Sequence, residues 1–120
     1  MKQLLSVFLF LALACNQYDA PKPKILIDEE IVKDIMYDLA ILQAVKSTGE
    51  YVLTDNSLTV NNLLHNKYKI DEKTWLANNK YYASNVRKYN KMVKAVQQKI
   101  EKQKNEMALE TKKKIDNKNK

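Results

Sequence analysis

The sequence predicts an all-α protein: a small bundle of about four helices with a long C-terminal helix, after a cleaved signal peptide and a short tether. Three observations predict this. One Gly and two Pro in 120 residues leave almost nothing with which to build the tight turns of hairpins. Lys, Asn, Leu, Glu and Ala dominate the composition. From Ile31 onward apolar residues recur at spacings of three and four, the period of a helix face. With 29% charged residues, the middle of the chain can bury a modest core and the ends cannot.

The N-terminus defines how the domain is held. Lys2 gives a positive start, Leu4 to Leu13 form an almost unbroken apolar run, and Ala14 leads into Cys15, the sole cysteine. A membrane span needs about 20 apolar residues, and this run ends before the polar Asn16, Gln17 and Asp19. Two main readings of a cleaved peptide remain, with an uncleaved anchor as a third. In an ordinary secretory signal Cys15 is an incidental thiol. In a lipoprotein signal it becomes the acylated, palmitate-type first residue of the mature chain, and its place directly after Ala14 favours this reading. Leu13 stands where a small residue is more usual.

Removal of residues 1–14 leaves 106, with 20 Lys+Arg against 14 Asp+Glu once Lys2 has gone, a formal +6 and one domain's length. With Cys15 spent on lipid, no disulfide can form, and the fold must stand on its apolar core. The expected organisation is signal peptide 1–14, lipidated N-terminus and tether 15–27, helical domain 28–104, and a basic, fraying tail 105–120. In the tether, Pro21 and Pro23 impose extended geometry, giving residues 16–27 a reach of about 35 Å at ~3.1 Å per residue. Ile25-Leu26-Ile27 breaks the polar trend and is expected to pack back on the domain, or else to add a short strand.

Asp28 is placed to cap the first helix, with Glu29 and Glu30 at its positive end. Ile31, Ile35, Leu39, Leu42 and Val45, widened by Val32 and Met36, form its core stripe to Ser47, and Gly49 can supply the left-handed stop. After a polar loop with Tyr51, Val52 and Leu53, Ser57 or Thr59 opens a second helix in which Val60, Leu63, Leu64 and Tyr68 share a side. Lys69-Ile70 connects to Asp71, the cap of a third helix with Trp75, Leu76 and Tyr82 as anchors. Ser84 or Asn85 then caps a last helix from Val86. Its Val86, Tyr89, Val93, Val96, Ile100 and, beyond a polar Gln103, Met107 follow heptad spacing. That seam is expected to pack within the chain to about Ile100, or to pair its far half with another chain.

Catalytic and metal chemistry find little footing. His65 is the only histidine and lacks a partner at ligand spacing, so a solvent-facing or hydrogen-bonded role is expected, and no metal or cofactor. No base stands beside a Ser or Cys nucleophile, Gly49 cannot make a phosphate loop alone, and the carboxylates at 28–30 and 71–72 are accounted for as caps. Eight Lys lie between Lys99 and Lys120 against four acids. They read as a solvated helix end that loses order after about Lys112, or as a contact for anionic headgroups or wall polymer. An exported, anchored chain seldom meets nucleic acid, so no nucleic-acid partner is expected.

Pro23-x-x-Leu26-Ile27, Asp38-Leu39 with Ala44, Lys67-Tyr68-x-Ile70 followed by Trp75, and Tyr81-Tyr82 occur in that order behind the N-terminal cysteine motif. In this the chain resembles, from about Pro23 to Lys102, a domain of unknown function found in small lipoproteins of Bacteroidetes. Where that family carries His and Glu in the first helix, this chain has Ala40 and Gln43. The resemblance implies a helical fold and an envelope location, and is silent on chemistry. Residues 60–100 also resemble, more distantly, the helical substrate-handling part of parvulin-class envelope chaperones. The expected function is a non-catalytic protein-interaction module, lipid-anchored in the envelope at the outer membrane facing the periplasm, with an unidentified envelope protein partner. The alternatives are a chaperone-like holder of envelope clients and a spacer using the basic tail. The oligomeric state is open.

Replacing Cys15 with Ser tests the anchor. Stable attachment takes two acyl signals or more, so the variant is expected to leave the membrane fraction when cells are fractionated; retention there at the normal mature size refutes acylation at Cys15.

Overall fold

The computed structural model describes residues 20–47 and 59–118. The apolar run, Cys15, the first part of the tether, the loop with Gly49, and Ser57 lie outside them. Four helices follow in order: α1 (Glu29–Ser47), α2 (Val60–Tyr68), α3 (Glu72–Ser84) and α4 (Val86–Lys118). Among the described residues there is no strand, at Ile25–Ile27 included.

Each helix begins where a side chain can take up a backbone N–H that the helix itself cannot satisfy. Asp28 accepts from Glu30 N–H at 2.9 Å, Thr59 from Asn62 at 3.1 Å, Asp71 from Thr74 at 2.8 Å, and Asn85 from Lys88 at 3.0 Å. Hydrogen bonds from Thr74 hold the Asp71 carboxyl below the usual carboxylate range. Asn85 also donates its own N–H to the Tyr82 carbonyl at 3.2 Å, so a single residue closes α3 and opens α4. α2 ends at Lys69, whose φ of 58° is left-handed. Glycine is the usual residue there; here the Lys69 ammonium donates to the Asn66 carbonyl at 2.8 Å, and Ile70 N–H reaches the Leu64 carbonyl at 3.3 Å.

α1 and α4 run side by side in the same direction, because Glu29 meets Lys88 and Asp34 meets Lys99, each at 2.8 Å. α3 packs on α4, and α2 bridges α1 and α3. The core joins Ile27, Val32, Ile35, Leu64, Trp75, Tyr82 and Met92, with Tyr68, Ile70 and Tyr89 among the residues packed against it. Trp75 is the anchor that its sequence position suggests. The expected tether contributes Ala20 and Ile27 to the buried set, while Ile25 and Leu26 stay exposed.

Several expected anchors face solvent. Leu76, at 56% exposure, sits next to Trp75 and therefore about 100° around α3 from the buried line Trp75–Asn78–Tyr82. In α1 the buried line is Val32–Ile35–Leu42, one residue on from the exposed Ile31. Val86 is exposed because it precedes the level at which Lys88 of α4 meets the first residue of α1. Met92, missed by the heptad reading, is 1% exposed, and Met107 lies beyond the packed region. The tail expected to fray continues as α4 to Lys118, with every residue from Glu101 to Lys118 exposed. Glu, Lys, Gln, Met, Ala and Leu fill most of this part, all good helix formers.

One buried polar residue ties the lead-in segment to the bundle. Asn78, fully buried, accepts the Ile27 N–H at 2.8 Å through Oδ1, and its Nδ2 donates to the carbonyls of Ile25 at 2.7 Å and Thr74 at 2.9 Å. Tyr82 donates its hydroxyl to the Ile27 carbonyl at 2.6 Å, and burial pushes that hydroxyl's pKa up. No buried side-chain polar atom among the described residues lacks a partner. Asn78→Leu keeps the volume and orphans the Ile25 carbonyl and the Ile27 N–H. At about 1 to 3 kcal/mol for each such group, the loss is expected to be about 2 to 6 kcal/mol, a fall of about 10 °C or more in Tm. Leu76→Ala should shift Tm by little, and thermal melts followed by circular dichroism compare the two.

Candidate functional site

Asn78 and Tyr82 hold the lead-in segment at one end of the bundle. Toward the other end, the described residues of α1, α2 and α4 line a groove of about 740 Å³. α1 supplies Tyr37, Asp38, Ile41 and Leu42; α2 and its cap supply Thr59, Asn62, Leu63, Asn66 and Lys67; α4 supplies Ile100, Gln103, Lys104 and Met107. The floor is apolar because α1 carries apolar residues on more of its circumference than the core consumes. Ile41 remains 38% exposed beside buried Leu42. Met107, expected to extend the heptad seam, instead lines the groove at 56% exposure, with no facing helix among the described residues.

The polar wall is built around Asp38. Lys67 donates to its Oδ2 at 2.6 Å and the Tyr68 hydroxyl to the same oxygen at 2.5 Å, while the Lys67 ammonium also lies 5.4 Å from the Tyr68 ring centroid. These contacts fix α2 against α1 and set the width of the groove. Burial first, and the hydrogen bond to Asp38 second, push the Tyr68 hydroxyl far above the ordinary tyrosine range. One turn earlier on the same side of α1, Asp34 holds Lys99 at 2.8 Å, with the ammonium over the Tyr37 ring, 4.6 Å from its centroid. The hydrogen bond that Lys99 donates to Asp34 raises the Lys99 pKa.

The sequence-singled residues distribute as follows. His65 is exposed, its Nδ1 3.4 Å from Asn66 Oδ1. Ala40 and Gln43 are exposed on α1. Among the described residues no group of three His, Cys, Asp or Glu side chains could hold a metal, and no helix is long and apolar enough to cross a membrane. Cys15 lies outside the described residues. Neither the groove nor the Asp38–Lys67–Tyr68 cluster emerged from sequence reasoning. The available signal was an apolar pattern in α1 too wide for one contact face, together with Lys67-Tyr68 one turn after the Leu63-Leu64 pair.

A helical domain in which an extended lead-in is held by a bridging asparagine and three helices line a groove is the class that the geometry defines among the described residues. The chain belongs to the family described as a domain of unknown function (DUF4296), whose model matches residues 23–106. The match runs from the Pro23 lead-in through the groove and stops one residue before Met107. Searches of curated proteins and of solved structures find no match to the chain.

The raised pKa of Tyr68 gives the groove wall a signature in alkali. A tyrosine whose native pKa is raised stays protonated while the unfolded chain ionises, so stability is unaffected below the unfolded value of about 10 and is lost as pH climbs above it. Tyr68→Phe is expected to cost about 1 kcal/mol at neutral pH, the loss of one part-exposed hydrogen bond. It should also reduce the alkaline fall in the denaturant midpoint. An equally steep fall in the variant shows that other groups govern the alkaline limb.

Proposed function

We propose that the protein is a lipoprotein of the kind found in Bacteroidetes, held in the envelope by acyl chains on Cys15 at the outer membrane facing the periplasm. There it acts as a non-catalytic interaction module whose groove receives an apolar segment of an envelope protein. The observation that carries the reading is the groove: apolar side chains of three helices converge on it. An apolar surface that the described residues leave uncovered is a characteristic mark of an interaction site. The Asp38–Lys67 pair and the Gln103 and Lys104 side chains supply a polar rim around the apolar floor, the usual anatomy of a protein interface. The layout of Met1 to Cys15 supports the anchoring.

A photo-crosslinking residue placed at Ile41, in the groove, is compared in cells with one at Lys73, outside it. The groove position is expected to give a discrete adduct with an envelope protein, identified by mass spectrometry, and Leu63→Glu should abolish it by placing a charge on the groove floor. The same adducts from Lys73, or adducts indifferent to Leu63→Glu, refute the groove as the contact.

A further inference from the structure

We propose that the outer face of α4 rests on the surface of an anionic phospholipid bilayer. α4 carries eleven basic against four acidic residues, a formal +7 that equals the net charge of the whole chain. Everything outside this helix is therefore neutral in sum. The helical period sorts those charges. Arg87, Lys91, Lys94, Lys102 and Lys112 fall on one line opposite the buried Met92 and Val96, and all five are exposed. Uncharged Gln98, Asn105 and Leu109 occupy the intervening positions of the line; Glu101 borders it, about 20° around the helix from Lys94 and Lys112, and Asp116 falls on it.

The row is available. Ion pairs from α4 to the rest of the domain are made by Lys88 and Lys99, which lie toward α1. Within the row, Lys102 has a partner, Glu106 at 3.9 Å on the exposed surface, a pair of little energetic weight. Among the described residues Arg87, Lys91, Lys94 and Lys112 form no salt bridge. From Arg87 to Lys112 the row spans about 38 Å at ~1.5 Å per residue, straight and on one side of a rod. That shape meets a plane along its whole length. It also lacks the aromatic side chains on which nucleic-acid bases stack. Ala20 is buried beside Tyr82, Asn85 and Lys88, at the start of the row, and the five residues back to Cys15 reach at most about 17 Å. This placement of the row near a membrane rests on the acylation proposed at Cys15; the charge complementarity does not.

The test uses the full chain carrying Cys15→Ser, so that no acyl chain contributes, and vesicles of phosphatidylcholine alone or mixed with phosphatidylglycerol. Any binding through Met1–Ala14 is common to the unchanged row, the triple change and the control, and cancels between them. The chain should partition more strongly onto the anionic vesicles at about 0.01 M salt and lose that preference at about 1 M, where the screening length falls from about 30 Å to about 3 Å. The triple change Lys91→Gln, Lys94→Gln, Lys102→Gln should lower the preference on the order of 100-fold, about five-fold per lysine. A control with equal loss of charge elsewhere, Lys24→Gln, Lys46→Gln, Lys73→Gln, should keep most of it. No preference for anionic vesicles, or an equal loss in the control, overturns the proposal. So does displacement by dextran sulfate at matched charge, which makes a soluble polymer the better occupant. Because the acylated thiol is absent throughout, failure here is separate from failure of the anchoring reading, which fractionation of the Cys15→Ser cells decides.

Discussion

The fold depends on how two carbonyls and one N–H of a non-helical segment are satisfied inside a helical protein. Residues Ile25–Ile27 cross the bundle without a strand beside them, so their backbone groups have no ladder to join, and burying them unpaired costs about as much as a lost hydrogen bond for each. The Asn78 amide meets this need because it offers an acceptor and a donor in one plane, as a backbone peptide does. Its Oδ1 takes Ile27 N–H and its Nδ2 serves Ile25, while the Tyr82 hydroxyl takes the Ile27 carbonyl. With the segment pinned to α3, Asp28 is delivered to the point where α1 starts. The phase of α1 follows, turning Val32 and Ile35 inward and Ile31 outward. A polar network of this kind specifies one arrangement because a partial version of it is worse than none.

Local signals were legible and shared ones were not. Asp28, Thr59, Asp71 and Asn85 all cap the helices that their positions imply, because a cap is decided within three or four residues. Trp75 and Tyr82 are buried as their size and spacing suggest. Leu76 was misplaced because one large apolar residue beside another cannot tell which of them faces inward. The answer lay in Asn78, which stands three residues after Trp75 and four before Tyr82, at core spacing but with a polar side chain. Its role is set by residues more than fifty positions away. Lys69 shows the same limit from the backbone side: no sequence rule would place a lysine at the left-handed stop in preference to a glycine, and its ammonium contact with Asn66 exists only once the turn has formed. The groove was illegible for a related reason. An apolar stripe records that a residue needs covering, and whether the fold covers it depends on where α1 and α4 part.

The molecule therefore divides along its length. Near the lead-in, α1, α3 and α4 are locked by Asn78, Tyr82, the Asn85 hinge between helices and the Tyr89 hydroxyl, which donates to Asn79 at 2.9 Å. At the opposite end, among the described residues, Ile41 of α1, Leu63 of α2 and Met107 of α4 line the groove. Regions with few packed neighbours open at low free-energy cost, and such regions are where a partner can be accommodated. The family match covers both ends, from Pro23 to Glu106, so the two halves belong to one domain.

The rest of α4 follows from its attachment. Formation of an isolated helix in water is opposed by the cost of nucleating its first turn. Here the packed turns around Met92 and Val96 supply that nucleus, and the exposed part needs only to propagate. Propagation through Glu, Lys, Gln and Ala is close to neutral in free energy, which leaves the helix sensitive to modest external interactions. Its charges form a row only while it is helical, since Lys94, Lys102 and Lys112 come to one side by the 3.6-residue period alone. An anionic surface that favours the row thus favours the helix, and the helix in turn presents the row. The two states are coupled by their shared geometry, so the same lysines that keep the free helix soluble also set how strongly a surface orders it.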